Sequence, residues 1–155
     1  MQKITPFLWF NDQAEEAMQF YTSVFKNAKA GTVTRYGEGG PAPAGSVMSA
    51  TFTLEGQEFF ALNGGPHYQF TPAISFFVSC ENQEEIDQLW RKLSADPSAE
   101  QCGWLKDKFG LSWQIIPSNL SQLLGQQDPE KAKKVMMAMM QMKKIDIAAL
   151  QQAAQ

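Results

Sequence analysis

Hydrophobic and polar positions change period several times along the chain, and each change marks an element. Thr5 to Phe10 is a short aromatic run of strand type. Ala14, Ala17, Met18, Tyr21, Val24 and Phe25 then recur at helical spacing, which predicts an amphipathic helix over residues 13–26. Asp12 stands three residues before Glu15, the spacing of a capping box, and is the expected helix start. Thr32–Tyr36 reads as a strand, and Gly37–Gly45, with four glycines and two prolines, as a loop. Val47–Leu54 alternates, with Met48, Ala50, Phe52 and Leu54 on one side and Ser49, Thr51 and Thr53 on the other. Glu55-Gly56 turns the chain into a last strand, Gln57–Leu62.

The second half follows the same plan. An apolar strand, Ala73–Cys80, leads to Asn82, again three residues before a glutamate, Glu85. Ile86, Leu89, Trp90 and Leu93 form a second helical stripe, which Asp96-Pro97 ends. Strands near Gln101–Lys106 and Leu111–Ile116 complete it. Asp12 and Asn82 are 70 residues apart, and so are Thr5 and Ser75. The chain thus reads as a duplicated β-α-β-β-β unit. The expected fold is α+β and a single domain over residues 1–155: paired βαβββ modules (1–63 and 72–117) forming a curved mixed sheet, with helices on its convex face and a concave cleft. A C-terminal helical extension, 119–155, completes the chain.

In that extension Asp128-Pro129 is an N-cap followed by proline at the first helical position. Ala132, Val135, Met136, Met137, Met139, Met140 and Met142 then cover an arc of ~220° at helical pitch. That is wider than the stripe of a helix lying on a surface, so contact from two sides is expected. Either this helix forms a dimer interface or cleft cover, or its soft methionines line a groove for other proteins. A second short helix is expected from Ile145 to about Gln152.

Composition narrows the chemistry. The chain has 155 residues, 44% hydrophobic and 19% charged, enough to bury a core. The net charge of -3 offers no basic excess for a nucleic-acid backbone. The single histidine, His67, excludes a three-histidine zinc site and a two-histidine facial triad within one chain. It lies in the loop between modules, where it is either an exposed residue without a task or a general base at a cleft rim. Cys80 and Cys102 read as buried thiols rather than a disulfide framework. The Lys106-Asp107-Lys108 triplet reads as a solvated turn, and Glu81, Glu84, Glu85 and Asp87 as helix-start acids that meet the dipole. The first apolar run, Phe7–Phe10, is too short for a signal peptide, and no stretch is long enough to span a bilayer. A cytoplasmic protein with no membrane and no nucleic-acid partner is expected.

The chain resembles the PhnB-like family, labelled 3-demethylubiquinone-9 3-methyltransferase, within the glyoxalase/bleomycin-resistance/dioxygenase or vicinal oxygen chelate superfamily. The matching residues are Phe7-Leu8-Trp9-Phe10, Ala14-Glu15-Glu16-Ala17 through Phe20-Tyr21, and Phe70-Thr71-Pro72-Ala73-Ile74-Ser75. They continue with Cys80-Glu81 to Asp87, Trp90, Cys102 to Asp107, Phe109 to Gln114, and Met142-Lys143-Lys144-Ile145-Asp146. The resemblance implies paired modules and a homodimer. In the superfamily's metalloenzymes four strand residues, His, Glu or Gln, hold a divalent metal that acts as a Lewis acid on vicinal substrate oxygens. Carried over, those positions fall on Thr5, Phe60 or Ala61, Ala73 or Ser75, and Gln114. Only Gln114 is a ligand type such sites use, so no metal site and no cofactor are expected.

If Thr5 points into the cleft, as the resemblance implies, alternation puts Phe7 and Trp9 there too, with Ser75, Phe77 and Ser79 in the second module and Ser112, Gln114 and Ile116 in the last strand. Leu8, Phe10, Ile74, Phe76, Val78, Trp113 and Ile115 should face the helices. The cleft set mixes aromatics with hydroxyls and an amide, which suits a small, flat, partly polar organic ligand. It equally allows a closed, packed layer. The expected ligand-binding residues are Thr5, Phe7, Trp9, Phe60, Ser75, Phe77 and Gln114. The leading expectation is a metal-free small-molecule-binding protein. The alternatives are an enzyme on the same scaffold, either a metal-dependent lyase or dioxygenase or the methyltransferase of the family label, and a protein-interaction module built on the Met-rich helix. A methyltransferase on a doubly wound sheet needs a glycine-rich turn opening a helix, and neither helix start contains glycine.

Overall fold

A computed structural model describes residues 2–155. It divides into two compact units, residues 1–70 and 71–155, and contains two mixed sheets, one in each unit.

The first unit runs β1 (Phe7–Phe10), α1 (Ala14–Val24), β2 (Ala28–Arg35), β3 (Val47–Leu54) and β4 (Gln57–Asn63). The sheet order is β1-β4-β3-β2, with β1 parallel to β4 and the other pairs antiparallel. The alternation read from the sequence holds here: Leu8 and Phe10 are buried, Phe7 is exposed and Trp9 half-buried. Ala50, Phe52, Leu54, Phe59 and Ala61 are buried on the face that α1 covers with Ala14, Ala17, Met18, Tyr21 and Val24. Phe52 and Phe59 are register partners whose rings stack at 5.3 Å.

The start of α1 differs from the expectation. Gln13, not Asp12, takes the N-cap position, and its side chain makes no capping bond. The cap comes from far away in sequence, because the Ala14 amide donates to Asn63 Oδ1 at 2.8 Å. Asn63 Nδ2 donates in turn to the Val47 carbonyl. Strand β2 is longer than expected and carries register irregularities. At one of them Gly31 approaches Thr51 so closely that a Cβ would overlap its side chain and carbonyl, and alternation is lost there.

The second unit runs β5 (Ser75–Cys80), α2 (Gln83–Leu93), a 3₁₀ turn (Pro97–Ala99), β6 (Trp104–Lys106), β7 (Ser112–Pro117), α3 (Leu120–Leu124), α4 (Pro129–Met140) and α5 (Ile147–Ala153). Its sheet order, β5-β7-β6, repeats β1-β4-β3. The duplication extends to register: Phe7 pairs with Phe60 and Phe77 with Gln114, each across a parallel pair. This unit has three strands, without a counterpart of β2. The intervening stretch folds into a turn because Asp96 accepts from the Ser98 amide and Pro97 lacks an N–H for a ladder. Only an isolated bridge, Gln101 to Trp104, remains of strand pairing there. Helix α2 starts as read, with Asn82 Oδ1 accepting from the Glu85 amide at 2.9 Å.

The C-terminal helices are built into the second unit. Ile116, Val135, Ile145 and Leu150 form a buried cluster, with Leu120, Met139 and Met142 packed against it. The Cys102 and Gly103 amides donate to the Met142 and Lys143 carbonyls, both at 2.8 Å. Gln83 clamps the segment from the other side, donating to the Ile145 carbonyl and accepting from the Ile147 amide. Lys144 pairs with Asp87 at 2.8 Å. Asp128 caps α4 as read, whereas α5 begins at Ile147 with Asp146 as its cap. Within the chain α4 is contacted on one side only, since Val135 is buried while Met136, Met137 and Met140 are 41%, 58% and 55% exposed. No helix among the described residues is long and apolar enough to cross a membrane.

Candidate functional site

Each sheet turns one face toward its helix, and the opposite face carries the residues read as ligand-binding. In the first unit that second face carries Phe7, Trp9 and Phe60. The Phe7 and Phe60 rings meet edge to face at 6.1 Å, and Phe7 is 59% exposed. Trp9 is fixed by three neighbours. Its Nε1 donates to the Gly65 carbonyl at 2.9 Å. Its ring meets exposed Tyr68 edge to face at 4.9 Å. Gly64 lies so close under the indole that a Cβ there would overlap it. Thr5 precedes β1, where its hydroxyl accepts from Gln2 Nε2. The four expected residues of this unit therefore include a contacting pair, Phe7 and Phe60, a separately anchored Trp9, and a Thr5 engaged with the N-terminal segment.

In the second unit Ser75, Phe77 and Gln114 share the face opposite α2. Gln114 Nε2 donates to Ser75 Oγ at 3.0 Å. Phe77 lies across from Gln114 in the ladder and is 61% exposed. Trp104 lies across from Gln114 on the other side, in β6. It was not among the expected residues, because a three-residue strand offers too little alternation to assign a face. Lys106, two residues along, pairs with Ser112, which in turn pairs with Ser75. Buried Leu105 points to the α2 side, so Trp104 and Lys106 belong to the open face.

Four expectations for this unit are corrected. Ile74 lies outside β5 and is 69% exposed rather than turned to the helices. Ile116 has the expected parity, but the C-terminal cluster covers it. Asp107 is buried, not solvated: its Oδ1 accepts from the Phe109 and Leu111 amides and its Oδ2 from Trp113 Nε1. Cys102 is half-exposed rather than buried, whereas Cys80 is buried as read. Burial, reinforced by Glu85, pushes the Cys80 thiol up to about 12, so it is no nucleophile at neutral pH. His67 is exposed in its loop.

The donor chemistry does not fit a metal. No group of three or more His, Cys, Asp or Glu side chains converges among the described residues. Of the positions that the resemblance would assign to metal ligands, Thr5, Phe60 or Ala61, and Ala73 or Ser75 supply no strong ligand, and Gln114 spends its amide N–H on Ser75.

The sequence profile of the 3-demethylubiquinone-9 3-methyltransferase family matches residues 2–116. The chain belongs to this family. Helices α3 to α5, including the Met142–Asp146 segment, lie beyond the matched region. A PhnB protein from Bacillus cereus is 44% identical, with a TM-score of 0.65, over 75% of this chain and 99% of that one. PA1353 from Pseudomonas aeruginosa shares the fold at 20% identity and a TM-score of 0.58, over 76% of this chain and 98% of that one. The fosfomycin resistance protein FosX from Listeria monocytogenes, in a structure with Mn(II) and sulfate, shares it at 15% identity and a TM-score of 0.50, over 81% of this chain and 98% of that one. This family member thus shares its fold with PA1353 and FosX. No curated protein matches the chain.

Proposed function

We propose that this family member binds a small organic molecule on the open face of its second sheet, without a bound metal. The observation that carries this reading is the Gln114–Ser75 pair beside exposed Phe77. A soluble domain gains nothing in stability from leaving a large aromatic in water next to an oriented amide, whereas a flat ligand uses both. The first unit's sheet carries an aromatic surface of its own in Phe7, Trp9 and Phe60, and these residues with Thr5 are proposed as ligand-binding in that unit by itself. Ligand-observed NMR with a library of bicyclic fragments tests the reading. Hits that vanish in Phe77→Ala support it, and a screen with no hit sensitive to Phe77 overturns it. A stoichiometric divalent metal in the purified protein would overturn its metal-free part.

The methyltransferase of the family label gains no support from the helix starts. Helix α1 opens after Asn11-Asp12-Gln13 and α2 after Glu81-Asn82, with no glycine to let a backbone approach a cofactor. A homodimer and a cytoplasmic location belong to the same proposal. Met136, Met137 and Met140 supply an unpartnered apolar patch, and both cysteines are free thiols. The molar mass from light scattering checks the dimer.

A further inference from the structure

The open face of the second sheet has two rows, set by register. One is Phe77–Gln114–Trp104, and the other is Ser75–Ser112–Lys106. Neighbouring strands lie ~4.8 Å apart, so the outer members of each row stand ~10 Å apart across the sheet. The first row is an amide between two aromatics. The second ends in a half-buried lysine that makes no ion pair among the described residues. Ser112 is only 2% exposed, so it supports the row from below, while Ser75, Gln114 and Lys106 are the polar groups within reach. No carboxylate lies in either row. Outside the rows, the Lys106 charge acts on Asp96, whose carboxyl is held below the usual carboxylate range first by the hydrogen bonds from Ser98 and then by Lys106. The far end is closed, because Ile116 lies under the C-terminal cluster.

We infer that the ligand of this face is an aromatic carboxylate, a planar monoanion whose ring lies over Gln114 between Phe77 and Trp104 and whose carboxylate pairs with Lys106. The inference rests on the proposed small-molecule reading and adds the chemical class. A single cation balances one negative charge, so a dianion such as an aryl phosphate is matched less well. The span between the outer strands suits a fused bicyclic ring. A flat hydrocarbon edge on two aromatics supplies affinity, and the Lys106 ammonium supplies selectivity for the charged form.

The test is isothermal titration of the full chain with 2-naphthoate, its neutral isostere 2-naphthamide, and 2-naphthyl phosphate. 2-Naphthoate should bind about tenfold or more tighter than 2-naphthamide, the size expected of a charge-assisted bond. Lys106→Gln should abolish that preference, Lys106→Arg should retain it, and exposed Lys92→Gln should leave it unchanged. Phe77→Ala should weaken both ligands. Thermal unfolding of each variant establishes that it is folded, and Lys106→Met, which keeps the aliphatic stem, serves if Lys106→Gln is not. Equal binding of acid and amide, with Phe77 sensitivity kept, overturns the inference and leaves the small-molecule reading standing. Tighter binding of the phosphate, a preference that survives loss of Lys106, or no binding of any of the three also overturns it. The fragment screen judges the broader reading separately.

Discussion

Gln114 Nε2 donates to Ser75 Oγ at 3.0 Å, joining residues 39 apart in sequence across the parallel pair of β5 and β7. The bond fixes which way the amide faces and leaves its carbonyl oxygen for another donor. Ser75→Ala and Gln114→Ala should each cost ~0.5–1.5 kcal/mol by urea denaturation, with a coupling of similar size in the double-mutant cycle. Zero coupling would mean that the amide is free to rotate and that the face is not pre-organised for a ligand.

Asn63 binds the start of α1 and the Val47 carbonyl with one side chain. Asn63→Ala should therefore lose a cap and a strand-end bond together, ~1–2 kcal/mol. Asp12→Ala should change stability by less than ~0.5 kcal/mol, as exposed substitutions commonly do. Equal effects at the two positions would restore Asp12 as the cap.

The contrast between those residues shows where sequence is readable. Alternation in Phe7–Phe10 and in Ser75–Cys80 assigned faces well, since a strand's period is local and one helix covers one face. The duplication was legible from the spacing of Thr5 and Ser75, and the ladder repeats it in the Phe7–Phe60 and Phe77–Gln114 pairs. What failed was set by distant partners. The cap on Ala14 comes from 49 residues away. Asp107 sits between two lysines and looked solvated, yet the Trp113 indole and two backbone amides remove it from water. Ile116 had the right parity and lost its exposure to helices that follow it. Period locates a face but carries no information on what later segments lay over it.

The C-terminal extension should prove inseparable from the second unit. Gln83 satisfies one carbonyl and one amide of the crossing segment, so Gln83→Ala should cost ~1–3 kcal/mol and speed hydrogen exchange at the Ile147 amide. Truncation after Asp128 removes Val135, Ile145 and Leu150 and uncovers Ile116. It should yield a markedly destabilised or aggregating product, measured by thermal unfolding and light scattering. A truncated chain that unfolds at the full-length temperature would show the extension to be a detachable interaction module.

Cys80 gives the pH dependence a defined sign. Its ordinary value of 9.0 is raised to about 12, first by burial and next by Glu85. The folded state thus holds the thiol proton through a pH range in which the unfolded chain has released it. The stabilisation linked to this thiol is fully present below about 9 and is lost progressively as pH rises toward about 12. Urea midpoints should fall over that window, and they should fall less steeply in Cys80→Ala, which has no proton to lose there. At pH 8 iodoacetamide should label half-exposed Cys102 in the folded protein and spare Cys80 until urea is added. Rapid labelling of Cys80 without denaturant would show that the end of β5 opens locally. The bonds that close over it, such as Ser118 N–H to the Cys80 carbonyl, would then be weaker than their 2.7 Å length implies.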